Sequence, residues 1–169
     1  MADTFFALLQ AALAGGVAND RLDEYANTDG NTAAAQTRRL LAMRHRQWLS
    51  WNERRLQMRK RWEQFFRSWD AVLLPVMPCP AIPHDHSEPQ AGRVAEVGGE
   101  LRPYWSLITW MAPAGACYLP ATVVPVGLLG NGLPVGIQIV GPYLEDRTTL
   151  DIAKHLLSMV GGCPRPPGF

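Results

Sequence analysis

Apolar residues recur along this chain with three different spacings, and each spacing predicts a different element. Over residues 3–14, Phe5, Leu8, Leu9, Ala12 and Leu13 fall on one helical stripe, with Asp3 or Thr4 placed to cap it and Gly15-Gly16 to stop it. The stretch from Asn19 to Asn31 is rich in Asn, Asp and Gly and reads as a loop with room for one further helical turn, so residues 1–32 are an N-terminal helix and loop. From Ala33 to Arg67 there is neither Pro nor Gly. Leu41, Trp48, Trp51, Arg55, Met58, Trp62 and Phe65 then recur mostly at three- and four-residue steps, which predicts one long helix over 33–69 with a heavy aromatic seam.

The period changes at Asp70. Residues 70–74 (DAVLL) read as a short buried strand, and Pro75, Pro78, Pro80, Pro83 and Pro89 make 75–103 an extended irregular segment. Two β-branched runs follow, Ala121 to Gly127 and Leu133 to Gly141, joined by residues that accept positive φ, and together they predict a β-hairpin over 121–141. Few positions in the hairpin are polar, so both of its faces should be covered and it should belong to a larger sheet. A terminal helix over 145–160 opens on Glu145-Asp146, turns Leu150, Ala153, Leu156 and Leu157 inward, and ends at Gly161-Gly162. The class is α/β.

Composition changes this picture little. In 169 residues, 47% are hydrophobic and 18% charged, which is globular and suffices for a sizeable core, and a net charge of +1 gives no overall attraction to nucleic acid or anionic lipid. Ten of the sixteen basic residues lie between Arg38 and Arg67, yet no aromatic or Gly-rich readout motif accompanies them. A polar helix face whose Arg stems cover the aromatic seam explains them better. Cys79, Cys117 and Cys163 are odd in number and form no C-x-x-C pair, which favours a reducing compartment, and neither a basic signal start nor an unbroken apolar span is present. The expectation is a cytoplasmic protein with no membrane span, no cofactor and no metal.

Candidate chemistry is thin. Ser50, Ser68, Ser87, Ser106 and Ser158 sit in no G-x-S-x-G or Gly-rich turn, and Lys60 and Lys154 fall on polar helix surfaces, so no residue is assigned as catalytic. His84-Asp85-His86 lacks a third ligand at helical spacing and reads as a hydrogen-bonded loop. The glycines at 130, 132 and 136 have the wrong spacing for a dinucleotide loop and suit a hairpin turn. Cys117 reads as a core thiol. Tyr104, Trp105 and Trp110 cluster just before the hairpin, where core packing competes with a part in an apolar pocket.

Five segments in order then resemble the C-terminal third of amidase-signature enzymes: Trp62 to Pro80, Ala81 to His86, Leu119 to Gly127 (LPATVVPVG), Gly132 to Pro142 (GLPVGIQIVGP) and Glu145 to Leu150. The resemblance implies a mixed sheet flanked by helices, and hydrolysis of a carboxamide by a Ser, cis-Ser, Lys triad. In the family those three residues lie in a Gly/Ser-rich segment and an upstream lysine that match no position here, so this chain is expected to be inactive alone. By the same resemblance Trp105, Ile108, Trp110 and Met111 are candidate substrate-pocket residues. The expected partners are a small-molecule amide in the complete enzyme and either the missing N-terminal half or a second copy, with no nucleic acid and no membrane. The rival expectation is a noncatalytic binding or assembly module that retains the amidase scaffold.

Overall fold

A computed structural model describes residues 1–88 and 90–162; Cys163 lies outside the described residues. The described helices are α1 (Ala2–Leu13), α2 (Asn19–Ala26), α3 (Ala33–Leu41), α4 (His45–Phe65), α5 (Ala112–Cys117) and α6 (Asp146–Val160). The strands are β1 (Val72–Pro75), β2 (Val94–Val97), β3 (Glu100–Pro103), β4 (Ala121–Leu128) and β5 (Pro134–Val140).

The hairpin forms as the β-branched runs require, and β5 lies at the centre of a three-stranded sheet in the order β1-β5-β4. Both pairings are antiparallel, with Val140 opposite Val72 on one side and Ala121 on the other. The register shifts between Pro125 and Gly127, where Pro125 has no N–H to give to the ladder. The turn closes on Gly132, whose φ of +80° suits a residue without a Cβ and whose N–H donates to the Leu129 carbonyl. The resemblance implied a mixed sheet; the described strands are all antiparallel.

Each face of the sheet is packed by helices of the chain itself. On one face, Val124 and Ile139 pack with Ala153 of α6, and Ile152 and Leu156 complete the layer. The buried side of α6 is thus Thr149, Ile152, Ala153 and Leu156, whereas Leu150 and Leu157, expected to point inward, remain exposed. Gly141 permits the close approach, because a Cβ there would stand 2.6 Å from Thr149 Cγ2. On the other face, Val140, Val72 and Leu74 meet Ala116, Cys117 and Leu119 together with Phe5, Met58, Trp62 and Phe66. The outer edges of β1 and β4 have no partner strand among the described residues, and Leu73, Val123 and Leu128 at these edges are 47%, 52% and 50% exposed.

Four local expectations are corrected. The helix expected over 33–69 is divided: α3 stops at Leu41, and α4 starts afresh where the backbone N–H of Arg44 donates to Gln47 Oε1 at 3.0 Å. The bend lets both helices pack against α1, a tertiary gain that no Gly or Pro announces. The loop from Asn19 holds the eight-residue α2. Within the irregular 75–103 segment, β2 and β3 form a second hairpin around Gly98-Gly99, both at positive φ. Finally, α1 is buried on two sides. Phe5 packs on α5 at Gly115, while Thr4, Ala7 and Gln10 are its buried positions, so the stripe through Leu13 is not the buried face.

Candidate functional site

Between α1, α3 and α4, where α1 packs against both other helices, lies a cleft of about 720 Å³. Its apolar wall is Phe6, Leu40, Met43, Trp51 and Trp105, and its polar groups include Asp3, Gln10, Gln36, Thr37, Arg39, Gln47, Ser50 and Arg54. A cavity of this size, mostly apolar with a few polar groups, is the usual form of a small-molecule site.

The positions of these residues follow from local structure. Thr32 caps α3 by accepting from the Ala35 N–H at 3.2 Å, which sets the phase of the helix so that Arg39 faces back over its own entry. There Arg39 Nη1 donates to the carbonyls of Thr28 at 2.8 Å and Gly30 at 2.9 Å, tying the loop after α2 to the cleft wall. On α4, Arg54 lies over the Trp51 ring with its guanidinium carbon 4.6 Å from the centroid. The 3₁₀ segment Tyr104–Met111 brings Trp105 to the cleft and is anchored by Leu107, 1% exposed, and by Gln138 Nε2 donating to the Trp110 carbonyl at 3.1 Å.

Of the four pocket candidates, Trp105 lines the cleft. Ile108 and Met111 are half-buried along the same 3₁₀ segment, and Trp110 is 39% exposed, its carbonyl held by Gln138; none of these three belongs to the cleft wall. Sequence reasoning missed Phe6, Gln10, Arg39 and Met43. The signal that could have found Gln10 was a polar residue at the i+3 step from Ala7 on a short apolar helix.

The arginines of α4 stack along a line of aromatic rings. Arg55 lies between Trp48 and Tyr118 and donates to the Tyr118 hydroxyl and to Asn52 Oδ1, and Arg59 reaches over Tyr118 and Tyr143, 4.2 Å from the latter's centroid. Tyr118 takes a left-handed conformation, φ 58°, at the end of α5, where its ring can enter this stack. Beneath it, burial pushes the Cys117 thiol above its ordinary value, with Arg59 and Arg55 opposing. Such a thiol is inert at neutral pH.

No serine and lysine are paired by a hydrogen bond among the described residues. Ser106 Oγ is buried without a partner, and Lys154 Nζ is engaged by Asp151 at 2.9 Å. In the His84-Asp85-His86 loop the two rings stand edge to face at 5.9 Å, while Asp85 accepts from the Ser87 N–H at 2.9 Å, and the Ser87 side chain first and this N–H second hold its carboxyl below the ordinary value. Among the described residues no group of three or more His, Cys, Asp or Glu is arranged to hold a metal, and no helix is long and apolar enough to cross a membrane.

The chain belongs to the amidase family, whose model matches residues 23–150. It is 34% identical over 103 residues to a glutamyl-tRNA(Gln) amidotransferase polypeptide from Synechococcus sp. (strain RCC307), a match covering 60% of this chain and 19% of that protein. It is 31% identical over 106 residues to a fatty acid amide hydrolase of Medicago truncatula, covering 62% of this chain and 16% of that one. A crystal structure of an amidase superimposes with a TM-score of 0.71 and 25% identity over 94% of this chain and 35% of its own. The chain therefore spans about a fifth of the length of these curated relatives and about a third of that structure.

Proposed function

We propose that these 169 residues are the C-terminal portion of an amidase domain that hydrolyses a carboxamide to a carboxylate and an amine or ammonia, and that they are inactive without the remainder. The observation that supports this most directly is the open outer edge of β4, where apolar Val123 and Leu128 stay half exposed beside backbone groups with no partner strand among the described residues. A central-type strand with such an edge recruits another strand. Hydrolysis needs an activated nucleophile and an oxyanion hole. In this reading both come from the missing part, while the present chain supplies the cleft wall, including Trp105, and a surface on which that part assembles. Ile108, Trp110 and Met111 face the substrate only once the enzyme is complete.

The purified chain is to be assayed against simple aliphatic and aromatic amides, alone and mixed with an upstream amidase fragment that carries a Gly/Ser-rich segment. No turnover alone and turnover on mixing are expected; turnover by the chain alone would overturn the proposal. A second reading, a noncatalytic binding module, draws support from one observation: α1, α3, α4 and the segment around Pro103 and Trp105 form a cleft within this chain. A monomer that unfolds cooperatively and has no affinity for the upstream fragment is the result that favours it.

A further inference from the structure

The outer edge of β4 divides into groups that face β5 and groups that face away. The Gly141 N–H donates to the Pro120 carbonyl at 3.1 Å, and these two residues continue the register in which Ala121 lies opposite Val140. Bonded and non-bonded pairs alternate along an antiparallel ladder, so Thr122 and Val124 turn their backbone groups toward β5, while Ala121, Val123 and Pro125 turn theirs outward. The outward row therefore offers an N–H and a carbonyl at Ala121 and again at Val123, but at Pro125 a carbonyl alone. Beyond Pro125 the register shifts before Gly127, whose φ is 150°, and the row does not continue in step.

The same alternation puts a proline on the opposite edge. Gln138 and Val140 bond to Leu74 and Val72 of β1, which leaves Leu73 and Pro75 facing outward. Pro75 is the last residue of β1 and limits that edge only at its end, whereas Pro125 stands in the middle of β4. Neither ring nitrogen faces β5, so the central strand loses no hydrogen bond to either. A proline at such a position withholds a donor only from a strand that has yet to arrive.

We propose that the β4 edge accepts a partner strand along Ala121–Val123 only, and that Pro125 is the stop at which that strand ends or turns away. The occupant is a strand from the remainder of the amidase, since the chain spans 35% of the amidase structure on which it superimposes; this choice rests on the function proposed above and deepens it. Val123, 52% exposed, is the apolar side chain that the incoming strand covers. A longer contact would leave the partner's carbonyl opposite Pro125 without a donor. The same stop prevents β4 of one copy from pairing along its full length with β4 of another, so the sheet does not grow edge to edge.

Amide hydrogen exchange, read residue by residue by NMR, tests the chain alone first. The N–H groups of Ala121 and Val123 should exchange at least about tenfold faster than those of Thr122 and Val124, and equal protection of all four would refute the outward row. On mixing with an upstream amidase fragment that carries a Gly/Ser-rich segment, Ala121 and Val123 should become protected. Protection that runs on through Leu128, or binding that leaves Val123 unprotected, overturns the inference. Pro125→Ala restores the missing donor without adding a β-branched side chain, and its weight-average mass in sedimentation should rise at least about twofold over that of the unaltered chain at equal concentration. Far-UV circular dichroism checks that the variant folds, and Pro125→Thr takes its place if the alanine variant does not. A folded variant that sediments like the unaltered chain also overturns the inference. If the upstream fragment does not bind at all, the reading of the chain as part of an amidase fails, while the exchange pattern of the chain alone and the mass of Pro125→Ala still decide the role of Pro125.

Discussion

The corner where β4 and β5 meet α6 and the cleft between α1, α3 and α4 are built from the same kinds of residue to opposite ends. At the corner Ile139 and Val140 are 0% exposed, Gly141 has no room for a Cβ, and the Thr122 hydroxyl donates to Thr149 at 2.9 Å while Thr149 donates to the Asp146 carbonyl at 2.8 Å. In the cleft Arg39 holds the loop carbonyls of Thr28 and Gly30, Arg54 lies over the Trp51 ring, and Phe6, Trp51 and Trp105 line an open wall. The first region is closed around its paired hydroxyls; the second stays open.

The largest effect that would test this division is truncation at the corner. Ile139→Ala removes a fully buried side chain from the central strand and should cost about 2–5 kcal/mol in chemical denaturation, whereas Phe6→Ala in the cleft should cost far less. Equal losses would erase the distinction. A smaller step is Thr149→Val, which keeps the shape but leaves the Thr122 hydroxyl without its acceptor; about 1 kcal/mol is expected, measured the same way.

How much of this could be read in advance differs between the same two regions. The hairpin was legible because its β-branched runs and the Gly130-Asn131-Gly132 turn are local signals that tertiary structure had no reason to override. The short strand was legible too, from its apolar run before Pro75, but it lies at Val72–Pro75 and is not buried as expected: as an edge strand its residues alternate between half-buried and exposed. The cleft was not. Its shape depends on the break after Leu41, made by Gln47 reaching back to Arg44, and on α1 turning Gln10 inward instead of Leu13; both are decided by packing partners distant in sequence. The β2–β3 hairpin carried a readable Gly98-Gly99 signal that the surrounding prolines obscured.

The smallest effect sharpens the comparison through pH. Burial raises the Cys117 thiol above its ordinary value of 9.0, so the folded chain holds that proton more tightly than the unfolded one does. The contribution is fully present below pH 9 and is lost as pH rises above it. Denaturation midpoints should therefore decline above pH 9, and Cys117→Ala should flatten that decline even if it lowers stability at neutral pH. An unchanged slope in the variant would remove Cys117 from the account.

The central strand pairs on one side with a neighbour only a short turn away and on the other with β1, across residues 76–133. Closing a loop costs free energy that grows only with the logarithm of its length, roughly 0.6 kcal/mol for each doubling. The intervening stretch carries Pro103 and Trp105, two residues of the cleft wall. Insertions or deletions there can accordingly reshape the cleft at little thermodynamic penalty, leaving the pairing of β1 with β5 as a fixed frame.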